Sequence, residues 1–473
     1  MISQRPNILI ILSDQLRRDA LGVYGDANVS TPNIDQLALD GVRFTQACST
    51  YPICVPFRFT MMTGAYAHSR YVPAIQYRMS PAERTLADEF NEADYHTVYI
   101  GKWHLYAGHG ILPDHPAKKS NLTPVPRIHQ GRWQKWLAFE CANAPFNTYY
   151  FEDDDPTPRR LEKYQTDGLF DLAMDYLSNR KDVEQPFCCV LSVEPPHFPL
   201  EAPPELEKKW RDRPLKLPPN FMHKEPYDVP GWLIDESERE ESLTQRRTYY
   251  AMIENLDENV GRMRSFLREN GMADNTIIVF LSDHGQMDGS HSVMNILKDH
   301  PFEESIGIPL IICDPRYPHR SGTAIGEPTS TEDLFPTLLG MAGLKPAHVL
   351  PGFDLSPLVR GEEEALSREG VYLEFVHDLR DGRFPVYHRL YWRGFRSPRY
   401  KYTVLGDAKE GGKPWQFFDL ENDPYEMNNL IDSMAHTDEI ERHHRLLRQR
   451  AIDTVDHYVL APAFGLAGLN LWQ

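Results

Sequence analysis

Asn7-Ile8-Leu9-Ile10-Ile11-Leu12-Ser13-Asp14 is five aliphatic residues in a row, closed by a hydroxyl and a carboxylate. A continuous run, rather than an apolar–polar alternation, is what a strand buried on both faces of a parallel sheet requires. Runs of the same kind recur at 96–100, 187–193, 276–281 and 306–313. Helical spacing fills the gaps. Thr31-Pro32 opens a helix with Ile34, Leu37 and Ala38 inward, and Ser80-Pro81-Ala82-Glu83 predicts a capping box ahead of Leu86 and Phe90. Helices are also expected over 167–177 and 334–344. Tyr249, Ile253, Leu256, Val260, Met263 and Leu267 mark the longest one. Strand and helix alternating on this scale predict an α/β fold with a large, mainly parallel or mixed central sheet flanked by helices.

Beyond Gly361 the texture changes to short aromatic strands at 371–376, 387–395, 400–404 and 417–419, then a helix over 439–457. The expectation is a catalytic α/β domain over 1–365 and a smaller C-terminal α+β subdomain with an antiparallel sheet over 366–473. Residues 105–165, rich in Pro, Gly, Asn and charge, are expected to shape an entrance rather than build core. Residues 203–232 read as a second loop layer.

The 473 residues carry 50 Lys and Arg against 68 Asp and Glu, a net charge of −18. That balance argues against nucleic acid as a partner. An anionic ligand then needs a locally basic site. The first apolar run is too short for a signal-peptide core or a membrane span, and no other stretch is long enough. A cytoplasmic protein without membrane contact is expected. Six cysteines show neither zinc spacing nor disulfide-scaffold density. The apolar tail, with Leu460, Phe464, Leu466, Leu469 and Leu471, covers either its own domain or a neighbouring subunit. A homo-oligomer is the expectation.

Polar residues collect where the strands end, which is where open α/β sheets hold ligands. Asp14-Gln15, Lys102 with His104, His197, and Asp283-His284 each follow a strand, and Lys298 comes one loop later. Taken singly, each has an ordinary explanation as a turn, a cap or a satisfied structural group. A further run, Cys54-Val55-Pro56-Phe57-Arg58, ends in Thr63-Gly64. Pro56 suits a first helical turn, Cys54 then sits at a helix N-terminus, and Arg58 faces the same point one turn on. By itself this is a buried thiol beside an arginine.

The Cys54–Arg58 run resembles the signature of type I, formylglycine-dependent sulfatases of the alkaline phosphatase superfamily. Phe57 and Met62 stand where that signature usually has Ser or Ala and Leu. The opening strand, Thr31-Pro32-Asn33, Gly101-Lys102-Trp103-His104, Ser282-Asp283-His284-Gly285, Lys298 with Ile308-Pro309-Leu310, Asp333 to Thr337 and Asp419 to Pro424 are similar to the family's segments, in the family's order.

The resemblance implies hydrolysis of a carbohydrate or small organic O-sulfate to alcohol and inorganic sulfate. Cys54 becomes formylglycine, made by a modifying enzyme acting on the unfolded chain. Its hydrate attacks sulfur, and a second hydroxyl later expels sulfate. One divalent metal lies among Asp14, Gln15, Cys54, Asp283 and His284, with calcium favoured and manganese or magnesium admitted by the imidazole ligand. Arg58 holds the formylglycine, Lys102 bridges it to a sulfate oxygen, and His104 is the base on the second hydroxyl. His197 and Lys298 face the leaving oxygen, with His197 as proton donor. The alternative is the phosphonate monoester and phosphodiester branch, which shares the Asp-Gln start and the Asp-His pair. His68, Arg70, Tyr71, Gln76, His377 and His388 are candidates to line the pocket.

Overall fold

A computed structural model describes residues 5–72, 75, 77–106, 122–226, 229, 232–376, 391–407 and 411–456. Its strands are β1 (Asn7–Asp14), β2 (Val42–Phe44), β3 (Ala47–Cys48), β4 (His96–Lys102), β5 (Lys135–Phe139), β6 (Tyr149–Glu152), β7 (Arg159–Arg160), β8 (Phe187–Pro196), β9 (Thr276–Ser282), β10 (Leu310–Cys313), β11 (Thr323–Ile325), β12 (Thr329–Ser330), β13 (Val371–Val376), β14 (Tyr391–Arg396), β15 (Tyr400–Asp407) and β16 (Gly411–Asp419). Its helices are α1 (Pro32–Asp40), α2 (Cys54–Thr63), α3 (Leu86–Glu92), α4 (Gln165–Ser178), α5 (Pro204–Trp210), α6 (Arg239–Glu269), α7 (Glu303–Ile306), α8 (Leu334–Met341), α9 (Ser356–Arg360) and α10 (Thr437–Asp453).

Among the described residues, the main sheet runs β11-β2-β10-β9-β1-β8-β4-β5-β6-β7. Its centre is parallel: β1 pairs with β8 and β9, and β4 with β8 and β5. The carboxyl ends of β1, β4, β8 and β9 therefore share one edge. β10 runs antiparallel between β9 and β2, and β6 and β7 extend the far edge antiparallel. The continuous apolar runs serve both faces. Ile8, Ile10 and Leu12 of β1 join one core with α2, α3 and α8, while Leu9 and Ile11 join a second with α1, α4 and α6. Burying each such side chain contributes about 1.5–3 kcal/mol. Gly101 is obligatory where β4 meets β8: φ is +96°, and a Cβ there would lie 2.0 Å from the Ser192 carbonyl oxygen.

Four expectations fail, the first being the loop layer at 203–232, where Pro204–Trp210 form α5 and bury Trp210. The segment 105–165 supplies core after all: Trp136 of β5 is buried and stacks on Tyr99 at 5.6 Å. A five-residue strand flanked by polar residues leaves too short a pattern to stand out. The predicted capping box at Ser80 is a turn. Thr85 caps α3 instead, exchanging reciprocal bonds with Asp88, because the acid three residues on lies nearer the apolar face. The run from 306 is not all strand, for Ile306 ends α7 and β10 begins only at Leu310.

β13 to β16 form an antiparallel sheet in sequence order. Leu447 and Ala451 of α10 pack on Phe395, Tyr402 and Val404. This unit grips the main sheet at two loops. The Glu374 N–H donates to the Thr50 carbonyl (2.8 Å) and the Val376 N–H to the Tyr51 hydroxyl (2.9 Å). The Trp392 indole N–H donates to the Asp299 carbonyl at 2.8 Å. Gln76, His377, His388 and the apolar tail expected to meet a second subunit lie outside the described residues. No helix among the described residues is long and apolar enough to cross a membrane.

Candidate active site

α2 begins at Cys54, with Ile53 as N-cap, and ends where Gly64 turns left-handed at φ 71°. Every one of its residues is buried, so its single charge, Arg58, must find partners indoors. One guanidinium nitrogen lies 3.2 Å from both Asp14 Oδ2 and Asp283 Oδ2. The other donates to the Lys102 carbonyl (2.9 Å) and Ser192 Oγ (2.8 Å). One arginine thus ties the helix of Cys54 to the ends of β1, β4, β8 and β9.

Around the Cys54 sulfur the other groups close in. Sγ lies 3.2 Å from His284 Nε2, 3.3 Å from Lys298 Nζ and 3.6 Å from Asp14 Oδ1. Lys298 Nζ also donates to Gln15 Oε1 (3.0 Å) and lies 2.9 Å from His197 Nε2. The Lys102 ammonium is 2.7 Å from Asp14 Oδ2 and 3.6 Å from Glu194 Oε1. His104 follows two residues after Lys102, buried and left-handed at φ 58°, with its N–H donating to the Glu140 carbonyl.

Hydrogen bonds fix several orientations. His284 Nδ1 donates to the Gly285 carbonyl at 3.0 Å, which turns the Nε2 lone pair toward Cys54. His197 Nδ1 donates to the Phe198 carbonyl at 2.6 Å, so Nε2 accepts from Lys298. Gln15 is also left-handed, at φ 65°. Such a conformation costs of order 1–3 kcal/mol and persists only where surroundings over-determine it. Here they do: its N–H donates to Asp283 Oδ1, its carbonyl accepts from the Tyr249 hydroxyl, and its amide NH2 donates to Gln286 Oε1 (2.7 Å) and the Ile296 carbonyl (2.9 Å). Only the amide oxygen is left to face the cluster.

Two family models match this chain, Sulfatase over residues 6–344 and N-sulphoglucosamine sulphohydrolase, C-terminal, over 291–452. The chain belongs to the sulfatase family. An ulvan-active sulfatase of Formosa agariphila is 33% identical, over 90% of this chain and 77% of that protein. An N-acetylglucosamine-6-O-sulfatase of Bacteroides thetaiotaomicron is 25% identical, over 91% of this chain and 83% of its own length. The crystal structure of the yidJ protein from Bacteroides fragilis superposes with a TM-score of 0.81 at 29% identity, covering 96% of this chain and 97% of that one. The sulfatase described here is a sulfuric ester hydrolase.

Electrostatics in this sulfatase follow from burial and from crowded charge. Burial works to raise the Asp14 carboxyl, but the Lys102, Arg58 and Lys298 cations hold it well below the usual carboxylate range. Burial and the Asp14 charge push Asp283 up to about 6. Burial and Lys298 keep His284 and His197 neutral. Burial, then Asp14, push the Cys54 thiol up to about 11, so the encoded side chain is a poor nucleophile despite its helix N-terminus.

The donor set suits a divalent cation. Ligand atoms of Asp14, Cys54, Asp283 and His284 all lie within 4.8 Å of one another, and the imidazole presents its lone pair.

Of the other described lining candidates, His68 is buried in an ion pair with Glu374, Arg70 pairs with Glu83 at 3.5 Å, and Tyr71 is 62% exposed. Sequence reading missed Ser192, Glu194 and Gln286. The carboxylate of Glu194 accepts from the Ala142 and Asn143 N–H groups besides facing Lys102. A charged residue ending a two-faced apolar strand is the one signal that marks it.

Proposed function

We propose that position 54, as formylglycine, carries the chemistry of this hydrolase, and that its ester is a carbohydrate O-sulfate. The observation behind the first statement is the convergence of Lys298, His284 and Asp14 within 3.6 Å of Cys54 Sγ. The relative that acts on N-acetylglucosamine 6-sulfate supports the second. Asp14, Asp283, His284 and the Gln15 amide oxygen would hold one divalent cation, calcium first, with manganese and magnesium also compatible with the imidazole. When bound, the cation polarises oxygen and holds negative charge, and a formylglycine hydrate supplies the attacking hydroxyl.

The chain's own groups do the rest. Lys102 and Lys298 neutralise the non-bridging sulfate oxygens. Arg58 fixes position 54 against the strand ends, and His104 takes the proton of the second hydroxyl. Lys298 and His197 share the proton delivered to the leaving alcohol. Burial excludes water, which strengthens each of these interactions.

Intact-protein mass tests the modification, since conversion of Cys54 removes about 18 Da. Cys54→Ala is expected to abolish release of inorganic sulfate with the fold retained. Substantial turnover in that variant, or an unshifted mass in active protein, rejects the assignment. Relative turnover of an aryl sulfate and an aryl phosphonate tests the alternative branch, and faster phosphonate cleavage would favour it.

A further inference from the structure

The groups placed around position 54 are nearly all sealed. Asp14, Gln15, Cys54, Arg58, Lys102, Asp283 and His284 are at most 1% exposed, and His197 only 5%. Lys298 is partly exposed, and Phe198 as a residue is 36% exposed. Solvent therefore reaches the cluster on the side of Lys298 and Phe198. A sulfate ester enters with its sulfate inward, so its alcohol must come to rest on that same side.

What waits there is an aromatic face. The Phe198 ring lies nearly parallel to the His197 imidazole, with centroids 4.3 Å apart and planes at 24°. Lys298 Nζ is 5.9 Å from its centroid. A large apolar ring left open beside two polar groups has no packing explanation of its own. Flat apolar surface next to a few fixed polar atoms is how small-molecule sites grip a ring. Lys298 at the mouth disfavours a cationic alcohol.

We infer that Phe198 is the specificity residue of this hydrolase: a platform against which the leaving alcohol packs, selecting esters whose alcohol is a neutral ring, sugar or aryl. This rests on the sulfate-ester reading above and adds the shape of the alcohol to it. The side chain touches the departing group and not the sulfate. The backbone carbonyl that orients His197 is untouched by substitution.

The test uses the full chain, with Phe198→Ala and Phe198→Leu. KM is measured for 4-nitrophenyl sulfate and for a monosaccharide 6-O-sulfate, and Ki for inorganic sulfate, which has no alcohol. Loss of the aromatic face is expected to raise KM about ten-fold in the alanine variant, with leucine intermediate. Ki for inorganic sulfate is expected to move less than about two-fold. A rise in KM for one ester class alone identifies that class as the natural ring. Equal rises in KM and Ki show that Phe198 acts through His197 and Lys298, and unchanged KM shows no platform; either overturns the proposal. Failure of the unsubstituted protein, its conversion at position 54 verified by mass, to release sulfate from any ester overturns the sulfatase reading itself.

Discussion

Glu374→Gln changes one atom in a buried pair and tests a charge state demanded by geometry. His68 Nε2 lies 3.2 Å from the Thr454 carbonyl, which can only accept, and Nδ1 lies 2.6 Å from Glu374 Oε2. Both ring nitrogens thus face acceptors, and an imidazolium satisfies both. Burial opposes the charge, but Glu374, by charge and hydrogen bond, and Asp456 raise the His68 pKa above its ordinary value, against Arg393. A folded pKa above the unfolded value, about 6.5, gives stability that is fully present below that pH. It is lost as pH rises through the folded pKa. Both side chains are 1% exposed, so solvent screens little. Breaking a buried pair costs about 3–5 kcal/mol, and the glutamine recovers a neutral hydrogen bond of about 1 kcal/mol, leaving about 2–4 kcal/mol. Denaturant melts of both proteins at about pH 6 should show that gap, and melts at about pH 9 should show it shrinking. A gap that stays constant or widens with pH means the ring is neutral, and the reasoning fails.

Two further outcomes are expected nearer the reacting atoms. Gln286→Leu removes the acceptor that pins the Gln15 amide, and such outer partners typically govern about 10–100-fold in metal affinity. Calcium and manganese titrations followed by thermal shift check this; identical midpoints in variant and parent count against Gln15 as a ligand. His197→Ala should slow esters of poorly acidic alcohols by about 10²–10⁴ while sparing aryl sulfates, whose leaving groups need little help. Equal slowing of both removes His197 from proton delivery.

The fold was legible where burial was two-sided. β1, β8 and β9 announce themselves because residues on both faces are apolar, and the ends of those strands carry Asp14, His197 and Asp283. Lys135–Phe139 did not, since its tryptophan packs on Tyr99 and Trp103 from other segments and its own five residues carry no period. Site residues that touch the cluster sit inside recognisable motifs. The groups that orient them do not. Gln286 matters because its oxygen meets an amide 271 positions away, and Ser192 because Arg58 reaches it across 134. His68 was a candidate to line the pocket, yet its partner Glu374 lies 306 positions further on. Separations of that size leave no local trace.

The sealing of α2 also sets a deadline. Cys54 is 1% exposed, the loop before it is clasped by Glu374 and Val376 from a sheet made late in the chain, and β8 and β9 wall off the other side. On the proposed conversion of Cys54, a modifying enzyme would have its opportunity only while that late sheet has yet to dock. Under that proposal, synthesis that outruns the modifying enzyme would leave a fraction of molecules correctly folded but permanently unmodified. The expected sign in a purified sample is a second mass peak that later incubation with such an enzyme does not shrink.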